Sequence, residues 1–216
     1  VGFDPRLHSH HWHQKAEHRL AASDIILVPV QANLIDLHWH DRPVPACHPA
    51  LLLSQEYSGQ HSEAKRSRIA ETLVAGKIDA QLLTQAEPIN WLLNIRGRDI
   101  DCLPVVLSFA LLHRTGAVQL FADPAKFEDL DLAGHCGQDV TLAPVSELDT
   151  ALQALGKNGA RVQLDPQTAN AWSALELSRA GAELVPAEDP CMLPKACKNP
   201  VEVNGSRAAL LRDGAA

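Results

Sequence analysis

Apolar positions along the chain recur first at helical spacing, then in short strand-like runs, and the two patterns alternate to the far end. Ser9 is set to cap a helix that reaches about Ala22. Ile25 to Val30 is a short β-type run interrupted by Pro29, which places it near a sheet edge. Asn33 to Pro43 reads as a helical turn that buries Leu34 and Trp39, and Pro43, Pro45 and Pro49 predict an extended linker after it. His61 to about Gly76 has helical composition, with Ile69, Leu73 and Val74 on one face and Lys65, Arg66, Arg68 and Glu71 opposite. Ala80 to Thr84 is a strand, and Asn90 to Ile95 is a short apolar helical turn or a buried segment. Gly97 then supplies a position where positive φ costs nothing, and Pro104 rules out helix across the junction.

Val105 to Leu112 has the composition of a strand buried on both faces and is expected at the centre of a sheet. The turn around Gly116 makes Ala117 to Ala122 its hairpin partner. Asp123-Pro124 opens a short helix, and Val140 to Pro144 is a strand. Ser146 and Asp149 suggest a capping box before a helix carrying Leu148, Leu152 and Leu155. Arg161 to Asp165 is a strand, Pro166 suits the first turn of a helix running to Arg179 and ending at Gly181, and Glu183 to Pro186 is the last strand. Helices alternating with strands from about Ser62 to Pro186, with one hairpin inserted, predict an α/β fold: a mixed sheet flanked by helices.

Composition narrows the function classes. The chain has 216 residues, 46% of them hydrophobic and 21% charged, as in an ordinary globular protein with one large core or two modest ones. A net charge of −7 gives no basic face for nucleic acid. No apolar run approaches the ~20 residues that span a bilayer, so no membrane partner is expected. The opening Val1-Gly2-Phe3 lacks both Met and a signal-peptide pattern, so the true N-terminus is expected to lie upstream. Five cysteines without CxxC spacing suit a reducing cytoplasm better than a disulfide framework.

Candidate chemistry is concentrated between Glu87 and Pro104. Arg96, Arg98, Asp99 and Asp101 lie just before the most apolar strand, and local ion pairing among them is the plain reading. Asp99 with Asp101, or Asp36 with Asp41, has the residue types of a general acid pair, although spacing alone puts neither in a cleft. Cys102 is read as an inert thiol. His8, His10, His11, His13 and His18 invite a metal, but no carboxylate or cysteine joins them at ligand spacing, and they read as surface histidines. There is no His-Glu-x-x-His, Gly-x-Ser-x-Gly or phosphate-binding glycine loop.

Four blocks, in order, carry a resemblance. Gly2-x-Asp4-Pro5-x-Leu7-His8 is the first, and Asn33-Leu34-x-Asp36-x-x-Trp39-x-Asp41-Arg42-Pro43 the second. Trp91-Leu92 followed by Arg96-Gly97-x-Asp99 and Pro104 is the third. The last is Lys198-Asn199-Pro200-x-Glu202-x-x-Gly205-x-Arg207-x-Ala209 with Asp213, after a Pro190 to Lys195 segment. Together they resemble the Xaa-Pro aminopeptidases of the aminopeptidase P type, creatinase/prolidase-like metallopeptidases. At Leu210, where many relatives have a histidine, this chain is apolar.

The resemblance implies a creatinase N-terminal-like fold with a ribonuclease-H-like motif. Residues 1–45 would end a first domain, 46–190 would form a second, and 191–216 would begin the catalytic domain. It implies a cytoplasmic homodimer that releases the N-terminal residue from peptides with proline second. Two divalent metals, usually manganese, would be held by two aspartates, a histidine and two glutamates lying beyond the helix begun at Asn199, so this portion would have no metal, no catalytic residue and no activity alone. Its part would be dimer contacts and one wall of the substrate entrance, with Arg96, Arg98, Asp99 and Asp101 as the access loop. The competing reading is a non-catalytic binding module of the same ancestry.

Overall fold

The computed structural model describes residues 1–43, 45 and 47–215. Gly2–Phe3 (β1) pairs in parallel with Val28–Pro29 (β2), and helix α1, His10–Ala21, connects them. Ser9 caps α1 as expected, its Oγ accepting from the Trp12 N–H at 3.2 Å. Phe3, Leu27 and Ala171 make a small apolar cluster under α1, with Ala16 and Leu20 against it. The expected burial of Leu34 and Trp39 does not occur: residues 34–38 are turns, and these side chains are 72% and 46% exposed. A short turn buries an apolar side chain only where another element covers it, and here the Arg42 guanidinium lies 5.6 Å from the half-exposed Trp39 ring. In the expected linker, Val44 and Ala46 lie outside the described residues.

The main body follows: Leu51–Leu52 (β3), Gln55–Ser58 (α2), Ser62–Ala75 (α3), Ala80–Leu83 (β4), Ala86–Leu93 (α4) and Ile95–Arg96 (β5). Phe109–His113 (β6) and Val118–Phe121 (β7) form the hairpin, its turn made by Gly116 at φ 86°. Then come Leu132–Cys136 (α5), Val140–Ala143 (β8), Leu148–Lys157 (α6), Arg161–Leu164 (β9), Ala171–Ala180 (α7), Glu183–Pro186 (β10), Met192–Ala196 (α8) and Pro200–Asp213 (α9). Six strands make one mixed sheet in the order β10-β9-β4-β6-β7-β8. β4, β6 and β7 are antiparallel neighbours, while β10–β9, β9–β4 and β7–β8 are parallel, as their helical crossovers require.

Alternation along β6 divides the core. Ala110 and Leu112 join α3, α4 and α5 on one face, and Leu111 joins Leu152 and Leu177 of α6 and α7 on the other. The strand is interior, as predicted, but starts at Phe109 and not Val105. Asn90 holds the segment before it off the sheet: its Nδ2 donates to the Val106 carbonyl and its Oδ1 accepts the Val106 N–H, each at 2.9 Å. Two helix starts also differ. Ser146 makes no capping box, because residues 145–147 turn tightly before α6 and its N-cap makes no side-chain bond. α7 starts at Ala171, capped by Asn170, because Asp165 closes a separate turn over Pro166 to Thr168.

Candidate functional site

The loop before β6 grows out of the C-terminus of α4, where a helix leaves carbonyls unpaired and a partial negative charge. Asn94 ends α4 in the left-handed region at φ 52°. The Arg96 guanidinium donates to the Asn90 carbonyl at 3.2 Å, and the Lys65 ammonium donates to that of Trp91 at 2.9 Å. The Cys136 thiol takes the Leu93 carbonyl at 3.2 Å, and a His135 ring nitrogen lies 3.0 Å from that of Asn94. Lys65 also donates to Asn94 Oδ1 at 2.7 Å and sits 4.5 Å from the Trp91 ring centroid. Burial pushes its pKa down to about 8, with Glu202 opposing and Arg96 and Arg68 adding to the shift.

Of the four charged residues expected opposite Ile69 and Leu73 on α3, Arg68 and Glu71 are exposed but Lys65 and Arg66 are 1% and 2% exposed, whereas Val74 is out in solvent. Arg66 donates to the Gly116 carbonyl and, at 2.7 Å, to that of Cys136, the last residue of α5. Each cation is accommodated by the carbonyl end of a helix. The signal was present in the spacing: positions 62, 65, 66, 69, 70 and 73 are one helical face, and all are buried.

Past Arg96 the chain turns inward. Gly97 does not use positive φ; a Cβ there would lie 2.7 Å from the Val105 carbonyl oxygen, so close approach is what demands glycine. Asp99 Oδ2 accepts the Leu107 N–H at 2.7 Å and the Lys126 ammonium at 2.5 Å, in a pair whose side chains are 3% and 9% exposed. Asp99 Oδ1 is buried without a partner. The loop closes with an Ile100–Leu103 bridge around Cys102 at φ 63°. The expected local ion pairs do not form: Arg96 is drawn to carbonyls, Asp99 to Lys126, and Arg98 and Asp101 are exposed. Nothing in the sequence pointed to Lys126, which lies 27 residues from its partner.

The histidines divide. His11 and His18 are at least partly exposed, but His10 and His13 are buried, the latter stacked on Phe3 at 4.9 Å, because α1 uses them as ring-sized filling. Their Nδ1 atoms have no partner, and burial lowers the His10 pKa. Among the described residues no three His, Cys, Asp or Glu side chains come together as a metal requires, so this donor set does not fit a dinuclear centre. Buried Cys136, its thiol pushed up to about 11, and Cys191 are inert, while Cys102 is exposed. An open groove of about 590 Å³ runs between residues 4–37 and α7, away from the loop, with Arg6 over the Trp172 ring at 3.7 Å.

Known proteins resemble this arrangement. The chain is 32% identical over 226 residues to a probable Xaa-Pro aminopeptidase P of Aspergillus flavus, and 33% over 224 residues to that of Aspergillus niger. Both alignments take in the whole chain but only 34% and 36% of those proteins, so it spans about a third of their length. The crystal structure of an X-prolyl aminopeptidase from Caenorhabditis elegans, described as a cytosolic enzyme with a di-nuclear active site, superimposes with a TM-score of 0.87 at 29% identity. That match covers 99% of this chain and 35% of the worm enzyme. Residues 41–202 match the Creatinase/Prolidase N-terminal domain, and the chain belongs to that family.

Proposed function

We propose that this chain is the supporting, non-catalytic portion of a metal-dependent Xaa-Pro aminopeptidase, which releases the first residue from peptides with proline second. The observation that carries the reading is similarity along the whole of this chain to about a third of the length of proteins of that name, together with the matching part of the worm enzyme's fold. In this reading residues 1–45 end a first domain, 46–190 form a second, and 191–216 begin the catalytic domain. The whole enzyme is a cytoplasmic homodimer with two manganese ions. In this reading the described residues supply no site for those ions, and none of their side chains takes part in the hydrolytic step.

The chain's own contribution is the loop from Arg96 to Leu103 as one wall of the substrate entrance. Arg96 and Asp99 fasten the loop, and Arg98 and Asp101 offer charge to a peptide's free ends. In the full-length protein, Arg98→Ala should alter peptide turnover while changing stability by no more than ~0–1 kcal/mol. Asp99→Ala should cost ~1–3 kcal/mol, because it leaves Lys126 and the Leu107 N–H unpaired. If Arg98→Ala unfolds the domain and leaves turnover per folded molecule unchanged, the loop is structural only. The rival reading, a binding module, predicts that metal-loaded full-length protein cleaves no Xaa-Pro peptide.

A further inference from the structure

Helix α9 leaves the body three residues after α8, and its direction is fixed at Asn199. Asn199 Oδ1 accepts the N–H groups of Val201 and Glu202, each at 3.0 Å. Glu202 Oε2 returns the bond to the Asn199 N–H at 2.9 Å, completing a capping box. The other end of the same amide reaches across the fold: Nδ2 donates to the Ser58 carbonyl at 2.8 Å. Gly59, at φ 68°, lies so close that a Cβ would overlap the Asn199 side chain.

The turn that receives Asn199 is itself tied to the interior. Asn94 Nδ2 donates to the Gln60 carbonyl at 2.8 Å, and Lys65 donates to Asn94 Oδ1 at 2.7 Å. Ser58 is buried, and its hydroxyl donates to the Gln60 carbonyl at 3.2 Å. The Glu202 carboxylate also acts favourably on both Lys65 and Arg96. Beyond its first turn α9 is loosely held: none of its residues is buried, and Leu210 and Leu211 are 70% and 76% exposed.

We propose that Asn199 is a positioning residue whose amide, seated on the Ser58–Gly59 turn, is the joint that sets the direction of α9 relative to the six-stranded sheet. A planar amide bonded at both ends ties the helix axis to the turn, which a cap alone does not do. The joint stands without the aminopeptidase reading; if that reading holds, it orients the catalytic part towards the loop that carries Arg98.

The test separates clasp from cap. Asn199→Asp keeps an oxygen for the Val201 and Glu202 amides but removes the donor to Ser58, and Gly59→Ala crowds the joint from the other side. Spin labels at Lys157→Cys on α6 and Arg207→Cys on α9 would report the geometry in the full-length protein, with exposed cysteines, Cys47, Cys102 and Cys197 among them, replaced by serine. Electron double resonance should give one narrow distance in the parent. Both variants should give a shifted distribution about twofold broader, as a freed hinge does, with helical circular dichroism unchanged. Should either fail to fold, Asn199→Ser, a neutral cap without the second arm, should give the same broadening. Distributions identical to the parent's would overturn the proposal and assign the direction of α9 to its half-buried flank at Val203, Ser206 and Ala209. Peptide turnover plays no part in this readout, so failure of the joint and failure of the enzymatic reading remain separate results.

Discussion

Residues 1–43 and the six-stranded sheet contain the same kinds of apolar side chain, yet treat them oppositely. On β6, Ala110, Leu111 and Leu112 are all 0% exposed, whereas Ile26, Leu34 and Ile35 are 76%, 72% and 67% exposed. The difference is cover. β6 has a strand on each edge and helices over both faces, while β1 and β2 form a two-stranded parallel ribbon packed beneath α1. Parallel strands are ordinarily buried on both faces, yet Val28 of β2 is half exposed. Periodicity in a sequence says which side of an element is apolar; it does not say whether anything lies against that side.

The largest expected effect tests this contrast directly. Leu111→Ala should cost ~2–5 kcal/mol, since it opens a cavity that a close-packed sheet cannot refill. Leu34→Ala should stay within ~0.5 kcal/mol, as surface changes do. Urea unfolding of the two variants at equal m-values measures both. A cost at Leu34 matching that at Leu111 would break the comparison and mean that the N-terminal segment is covered in solution.

Charged residues reverse the lesson. Lys65 and Arg66 read as a solvent face by chemistry, yet are as buried as the leucines of β6. Their compensation comes from the carbonyl ends of α4 and α5, whose placement against α3 is tertiary and therefore silent in the sequence. Local signals were readable: the six strands of the main sheet, the Gly116 hairpin and the Ser9 cap all follow from nearby residues, whereas the short β3 and β5 pair was missed. Pairings across the fold were not, and the site depends on them. The exposure of Arg98 follows from a loop pinned by Asn90, Asp99 and Lys126, and only the first two of these lie between Glu87 and Pro104.

Lys65 supplies the second prediction, of about 3 kcal/mol. Its pKa is about 8 in the fold against 10.5 unfolded, so between those values the unfolded chain holds the proton that the folded chain has lost. Stability therefore rises across that window, by ~1.36 kcal/mol for each step of one in pH. The raised thiols of Cys136 and Cys191 work the other way above pH 9, where the folded chain keeps protons that the unfolded chain releases. Lys65→Met retains both cysteines, so the difference between wild type and variant isolates the lysine. At pH 7 relief of a buried charge opposes the unpaired Asn94 oxygen, ~1–3 kcal/mol, and the two proteins should be close in stability. From pH 8 to 10.5 wild type should gain on the variant. A parallel pair of pH–stability curves would mean that Lys65 is hydrated and its carbonyl cage open.

The smallest effect returns to the N-terminal region and asks how firmly it is attached. α1 is seated through a few apolar side chains, backbone bonds such as His10 N–H to the Ala169 carbonyl at 2.8 Å, and the buried rings of His10 and His13. The His10 pKa is lowered chiefly by burial and next by His13, with Glu17 opposing and His11 adding a little. As pH falls below 6.5 the unfolded chain takes up the proton first, so this contribution is lost as the pH approaches the folded pKa. His113 at the end of β6 shifts in the same direction, so a global melting curve would mix the two. Hydrogen exchange resolved by residue separates them. On acidification, amides of α1 should lose protection before those of β6, and His10→Phe, which keeps a ring in the site but cannot be protonated, should delay the loss in α1 alone. Simultaneous loss in α1 and β6, unaltered by His10→Phe, would show that residues 1–43 and the sheet unfold as one unit and that the histidines do not govern their contact.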